Sequence, residues 1–187
     1  MLNARTRREI ARVNAYEAEW KIRTNLNKFT VIPVATNRPD PLLVDDDPVD
    51  FRPRGRSLGL QISRHGYTSH VTSRVQQARR ALGNLFRLRD LHKQLNLRLI
   101  KTLVIPVLTY LPVPTHAFSR SAVSRLQRVQ NATLRFALDF RWDDFRAAEA
   151  MHEEASIPAL NVRLHDLTVG VWQRLRDLGW EQLDSLQ

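Results

Sequence analysis

The sequence contains no cysteine, which excludes disulfide bonds, thiolate metal sites and cysteine nucleophiles. Its six histidines are scattered singly, and none follows another by the four residues that place two zinc ligands on one helix face. The six glycines form neither GxGxxG nor GxxxxGK, the two patterns of glycine-rich phosphate loops. The sequence therefore predicts neither a zinc centre nor a phosphate loop.

Long apolar segments are missing as well, because the longest apolar run is LVIPVL at residues 103–108. A membrane-spanning helix needs ~20 apolar residues, so no membrane partner is expected. The first residues, MLNARTRREIARVN, are basic and lack the apolar stretch of a signal peptide. We therefore expect an intracellular protein, in the nucleus or in a cytoplasmic ribonucleoprotein, and the sequence does not choose between the two.

Acidic residues are nearly missing from one stretch of the chain. Residues 52–101 hold twelve lysines and arginines against one acid, Asp90, in a chain of formal net charge +10. This excess indicates a polyanionic partner, most simply a nucleic-acid backbone, although a solvated basic helix face is the alternative. The basic residues are Arg52, Arg54, Arg56, Arg64, Arg74, Arg79, Arg80, Arg87, Arg89, Lys93, Arg98 and Lys101.

Apolar periodicity predicts an α+β fold, with a small antiparallel β or hairpin part followed by a mainly helical bundle. We expect the first domain at 1–66 and the bundle at 67–187. The first domain is predicted to contain a helix over 4–21, a strand at KFTVIPV (28–34), a hairpin-like surface excursion, and a half-buried strand at SLGLQIS (57–63).

The bundle is predicted to begin with a helix from Ser69, with Val71, Val75, Ala78, Leu82, Leu85 and Phe86 on its inner face. A second helix is expected over about 95–110, with Leu103 facing inward and a kink at Pro106, which lacks a backbone donor. Further helices are expected over 120–138, near 143–153 and over 160–178.

Two acidic clusters invite a metal interpretation. Asp45, Asp46 and Asp47 precede a proline, which is typical of a turn, whereas a two-metal site needs carboxylates converging from separate elements. A metal-dependent nuclease using Asp45–Asp47 nevertheless remains one alternative function. Asp143 and Asp144 favour a helix start, where acidic side chains stabilise exposed backbone donors.

Five segments occur in an order that resembles a known family. They are WKIRTNLNKFTVIPV (20–34), SLGLQISRHGYTSHV (57–71), LIKTLVIPVLTYLPVPT (99–115), SRLQRVQNATLRFAL (124–138) and ASIPALNVRLHDL (155–167). Together they resemble the C-terminal part of a non-LTR retrotransposon (LINE-type) reverse transcriptase. In order, they resemble the block after the catalytic aspartates, the primer grip, two thumb helices and a final Leu-Pro-x-Leu helix. The resemblance implies that 1–66 is a palm remnant and that 67–187 is a thumb-like bundle.

The sequence also departs from that family. Phe29 stands where the family has threonine, Ser57 stands where it has tyrosine, and the Tyr/Phe-Ala-Asp-Asp block does not occur. Because polymerisation needs metals held by those aspartates, the resemblance implies that this chain binds template–primer without catalysing by itself. No cofactor is expected in this chain, and Mg²⁺ only in the complete polymerase. The implied partners are an RNA–DNA hybrid or RNA, and the fingers and palm half that this sequence does not contain.

The resemblance also implies roles for individual residues. Lys28 corresponds to the lysine thought to protonate the departing pyrophosphate, and would act only in a complete enzyme. Leu58 and Gly59 would form a tight primer-grip turn, where glycine permits close approach of the backbone. Phosphate contacts that carry no sequence information are expected from Arg56, Arg64, Arg74, Arg79, Arg80, Arg87, Lys93 and Arg128. A free-standing basic RNA- or DNA-binding module, derived from such an element, is the second alternative function.

Overall fold

A computed structural model describes residues 2–22, 30–33, 43–44, 47–48, 50–57, 59–111, 117–141 and 143–177. The fold is α+β, mostly helical with small antiparallel hairpins, which confirms the predicted fold class. The chain divides into two compact units, residues 1–66 and 67–187. None of the helices in the described ranges is long and apolar enough to cross a membrane.

The described residues of the first unit form one helix and two hairpins. The helix α1 spans Leu2–Trp20, and its Val13, Tyr16 and Trp20 are each at least 50% exposed. The short strands β1 (Leu43–Val44) and β2 (Asp47–Pro48) pair antiparallel inside the predicted surface excursion. The strands β3 (Arg54–Ser57) and β4 (Leu60–Ser63) form the second antiparallel hairpin.

The two strands predicted for this unit differ from the observed ones. The strand expected over 57–63 is interrupted, because Ser57 ends β3 and pairs with Leu60 of β4 across a two-residue turn. Gly59 lies in that turn at φ 82°, a conformation that glycine adopts without steric penalty. Of the segment 28–34, the described residues 30–33 contribute only an isolated parallel bridge between Val31 and Phe51.

The described residues of the second unit form a bundle of six α-helices. Their bounds are α2 Thr68–Leu85, α3 Lys93–Leu103, α4 Ile105–Thr109, α5 Arg120–Ala137, α6 Ala148–Ala155 and α7 Leu160–Asp177, with a 3-10 turn at Phe86–Leu88. The helix α5 packs against α2, α3, α4, α6 and α7, and therefore forms the centre of the bundle. Its Leu126 and Leu134 are fully buried.

The inner face of α2 follows the predicted helical spacing with one exception. Val71, Val75, Ala78, Leu82 and Leu85 are all buried. Phe86 is 54% exposed, so its predicted inward position is wrong. The helix tightens into the 3-10 turn at this residue, which shifts the direction of the side chain, and the ring packs edge-on against Phe136 at 5.2 Å.

Pro106 divides the predicted second helix into α3 and α4. Val104 stands between them with φ −107° and ψ −49°, and Pro106 lies in the first turn of α4, where its missing N–H does no harm. Ile100, Val104 and Leu108 remain fully buried across the break. Leu103 is 49% exposed, so its predicted inward position is wrong.

The helix predicted near 143–153 begins later, at Ala148. Asp143 and Asp144 therefore do not start it, and that prediction is wrong. The main-chain carbonyl of Asp144 accepts a hydrogen bond from Arg135 Nη1 at 2.9 Å, and its carboxylate pairs with Arg146. These contacts with α5 and with the following residues hold the segment outside a helix.

Candidate nucleic-acid interface

The helices α2 and α3, with the 3-10 turn that follows α2, contain no acidic residue. Arg79 and Arg80 are exposed on α2, and Arg87 is exposed on the 3-10 turn. Arg80 and Arg87 are seven residues apart, or about two helical turns, so they lie on the same side of the helix. Among the described residues, no carboxylate forms an ion pair with any of these three arginines. We call Arg79, Arg80 and Arg87 the α2 basic surface.

Arg74 is oriented by contacts inside the bundle. Its guanidinium lies over the Tyr110 ring, 4.7 Å from the ring centroid, and Nη1 donates to Gln77 Oε1 at 3.4 Å. His70 is fully buried one turn earlier, and its Nε2 lies 3.1 Å from the Tyr110 carbonyl oxygen. Arg74 therefore links α2 to the end of α4, and its predicted phosphate contact is constrained by this stacking.

Lys93, another predicted phosphate contact, is committed to an ion pair. Its ammonium pairs with Glu154 of α6, and Arg146 Nη1 lies 3.3 Å from the second oxygen of the same carboxylate. The hydrogen bond from Lys93 lowers the pKa of Glu154, and the positive charges of Lys93 and Arg146 lower it further. Lys93 thus holds the start of α3 against α6.

The remaining predicted basic contacts are exposed but lie on other elements. Arg56 lies on β3 opposite Gln61, and Arg64 follows β4, where its Nε donates to His65 Nε2 at 3.0 Å. Arg128 lies on α5, and its Nε donates to the Ser124 carbonyl oxygen at 3.4 Å. Arg79, Arg80 and Arg87 therefore lie on α2 and the turn that directly follows it, and no described carboxylate forms an ion pair with them.

The residues proposed to act near a polymerase centre are only partly described. Lys28 and Leu58 lie outside the described residues, and Gly59 occupies the β3–β4 turn.

The segment 55–59 fits the Gly-x-Ser-x-Gly pattern, which in hydrolases places a serine on a strand-to-helix turn. Ser57 instead pairs within a two-stranded hairpin, so the required context is not met.

The described residues give little support to the metal-dependent nuclease that would use Asp45–Asp47. Asp45 and Asp46 lie outside it, and Asp47 is described only as a member of β2. Among the described side chains, no group of three or more histidines and carboxylates is placed to hold a metal ion.

Sequence reasoning missed a groove between α5, α6 and the start of α7. Its cavity volume is about 1010 Å³, and its lining includes Arg120, Ser124, Gln127, Arg128, Asn131 and His152. On α5 these residues recur every three or four positions, which is the available sequence signal. This spacing alone does not indicate a groove, because the other walls of the groove are formed by α6 and α7.

The described part of the bundle thus presents two surfaces that could meet an anion. One is the α2 basic surface, and the other is the groove on α5 that contains Arg120 and Arg128. Comparison of the chain with protein-family models, with curated proteins and with solved structures finds no match to any of them.

Proposed function

We propose that this chain binds the template–primer hybrid of a non-LTR retrotransposon reverse transcriptase, through the α2 basic surface. The observation that carries the proposal is the exposure of Arg79, Arg80 and Arg87 on elements without an acidic residue. An arginine without a carboxylate partner keeps its guanidinium free for phosphate oxygens, which it binds through paired N–H donors.

The resemblance to the thumb region supports an RNA–DNA hybrid duplex as the bound nucleic acid. A polymerase must hold every template sequence equally well, and phosphate contacts position a duplex without reading its bases. An RNA–DNA hybrid adopts an A-like helix, which proteins recognise by shape and backbone. Three exposed arginines on α2 and the turn after it suit that task, because phosphate contacts need no base-specific geometry.

The expected salt dependence of the binding affinity follows from counterion release. Three phosphate contacts give a salt slope of about −2.7, so affinity falls about 40-fold between ~50 and ~200 mM salt. Any further contact, from Arg98 or Lys101 on α3 for example, steepens this dependence by about one unit of slope.

The test is fluorescence anisotropy with a labelled RNA–DNA hybrid across that salt range. The variant Arg79→Glu/Arg80→Glu/Arg87→Glu should bind at least about tenfold more weakly and lose about three units of salt slope. The control Arg163→Glu/Arg174→Glu/Arg176→Glu makes the same charge change on exposed residues of α7. Equal loss in both variants would mean that net charge, and not the α2 basic surface, causes the binding.

The free-standing module is the second candidate, favoured by the buried core that the helical unit holds within itself. Both candidate functions predict binding of an RNA–DNA hybrid. They differ in whether DNA synthesis is restored when the missing part of the polymerase is added. Addition of the fingers and palm of a non-LTR reverse transcriptase, with Mg²⁺ and primed template, should restore DNA synthesis under the polymerase proposal. Hybrid binding without restored synthesis would favour the module.

A further inference from the structure

A smaller cavity, beside the 3-10 turn that follows α2, is a third place where an anion could bind. Its volume is about 480 Å³, within the roughly 300–1,000 Å³ of sites that hold small molecules. Apart from one alanine, its described lining consists of three phenylalanines and three arginines, namely Phe86, Phe136, Phe140, Arg89, Arg135 and Arg141. The described side chains therefore offer this cavity phenyl rings and cationic donors, and no hydrogen-bond acceptor.

The ring of Phe86 is only partly covered by the protein. Phe86 is 54% exposed, although its ring packs against the buried Phe136. The two ring centroids are 5.2 Å apart and the ring planes are inclined at 63°, which is a T-shaped arrangement. A T-shaped pair leaves at least one face of each ring uncovered by the other, so a planar ring can stack on Phe86.

Arg135 brings a positive charge without a described counterion to the same cavity. The other two arginines of the lining pair with Asp139 and Asp143, at nitrogen–oxygen distances of 3.1 and 3.5 Å. The half-buried Arg135 forms no ion pair with any described carboxylate, and its Nη1 donates to the Asp144 carbonyl oxygen at 2.9 Å. This neutral acceptor orients the guanidinium and leaves its charge uncompensated. Because burial of a charge is costly unless the charge is paired, an anion bound in the cavity would stabilise Arg135.

We propose that this cavity binds one nucleotide, with its base on the exposed ring of Phe86 and its phosphate on the guanidinium of Arg135. A base supplies the planar ring that stacks on an aromatic side chain. A phosphate supplies the oxygens that accept charge-assisted hydrogen bonds from a guanidinium. One ligand must carry both groups, because the lining combines phenyl rings with cations.

A nucleotide is favoured over other aromatic anions by the surface next to the cavity. Phe86 directly precedes Arg87 of the α2 basic surface, and both belong to one 3-10 turn. A strand whose phosphates lie on that surface can therefore bring its terminal nucleotide to the cavity. The choice of a nucleotide rests on the proposed function, whereas the choice of an aromatic anion rests on the cavity itself. An acidic peptide would compensate Arg135 and leave the ring of Phe86 uncovered, because a carboxylate side chain has no ring.

The experiment titrates the full chain with adenosine monophosphate (AMP) and measures the affinity by calorimetry. Phe86→Leu should weaken binding at least about fivefold because stacking is lost, and Phe86→Tyr, which keeps a ring, should bind as the wild type does. Arg135→Gln should weaken binding at least about tenfold, since it removes a charge-assisted contact. The matched controls are Phe145→Leu, at a residue that is 93% exposed and outside the described lining, and Arg163→Gln on α7. Both controls should change the affinity less than about twofold.

A second readout reports on the ring directly. In ¹⁹F spectra of the chain labelled with fluorophenylalanine, the signal that disappears in Phe86→Leu identifies Phe86, and this signal should shift when AMP is added. An unchanged Phe86 signal at saturating AMP would overturn the proposal. Equal weakening in the cavity variants and in the controls would also overturn it.

Three further compounds test the chemical class of the ligand. Adenosine lacks the phosphate and inorganic phosphate lacks the base, so each should bind at least about tenfold more weakly than AMP. Inorganic phosphate that binds as tightly as AMP would reduce the cavity to a simple anion site and overturn the proposal. Phthalate, a ring with two carboxylates, would assign the cavity to aromatic acids if it bound as tightly as AMP, and would overturn the nucleotide proposal.

Two RNA–DNA hybrids distinguish a strand end from a free nucleotide. If the cavity takes a strand end, a hybrid with a single-nucleotide overhang should bind more tightly than a blunt hybrid, and Phe86→Leu should remove the difference. Equal binding of the two hybrids, with AMP still bound through Phe86, would assign the cavity to a free nucleotide. Binding of AMP without binding of either hybrid would leave this site standing and refute the proposed function. Hybrid binding with neither an overhang effect nor AMP binding would refute this site and leave the proposed function standing.

Discussion

Gln127 joins three helices through one amide group, and its removal should destabilise the helical unit. In Gln127→Leu the Leu160 N–H loses its acceptor at 2.7 Å, and Asn131 Oδ1 loses its donor at 2.7 Å. An unsatisfied buried polar group costs about 1–3 kcal/mol, so the free energy of unfolding should fall by that amount. Leucine has a similar volume, so lost hydrogen bonds, and not a cavity, should dominate the effect.

Thermal unfolding followed by circular dichroism measures this change. The entropy of unfolding is about 2.1 cal/mol/K per residue, so the roughly 120-residue helical unit should lose about 4–12 °C in Tm. The matched control is Gln173→Leu on the exposed side of α7, which should shift Tm by less than about 2 °C. A shift in Gln127→Leu no larger than in the control would refute the view that this amide holds α5 to α7.

Two further predictions concern stability. Gly83 lies in the last turn of α2, and no atom lies within 4 Å of an added Cβ. Gly83→Ala should therefore raise the free energy of unfolding by up to about 1 kcal/mol, measured by urea titration. No gain in stability would contradict this prediction. Lys93→Met should raise the pKa of Glu154 toward its ordinary value, measured by ¹³C NMR titration. Because the folded-state pKa of this carboxyl is lowered, its stabilising ion pair is present above the unfolded-state pKa and lost as pH falls through the folded-state pKa. Lys93→Met should therefore destabilise the protein at about pH 7 and have little effect at about pH 2, and an equal effect at both would contradict the ion-pair account.

Local patterns predicted much of the helical unit, because the buried face of a helix follows its own period. The stripe from Val71 to Leu85 and the interruption at Pro106 depend only on residues within one or two turns. The start of α6 was predicted wrongly, since a contact from Arg135 to the Asp144 carbonyl oxygen outweighs a favourable N-cap sequence.

The candidate site was harder to predict, because pairing depends on residues far apart in the chain. The basic stretch was visible in the sequence, but Arg89 and Lys93 pair with Asp139 and Glu154, fifty and sixty-one residues later. The groove depends in the same way on the Leu160–Gln127 hydrogen bond, which spans thirty-three residues. Composition can therefore locate positive charge, whereas only the packed bundle shows which charges remain available.

The central position of α5 has a consequence for how the helical unit opens. Since α5 packs against five other helices, its amides become accessible to solvent only when most of those contacts separate. The α5 amides should therefore be the slowest in the unit to exchange with deuterium, at a rate set by global unfolding. A ligand that binds only the folded groove on α5 would slow exchange at every amide that opens only by global unfolding, in whichever helix that amide lies.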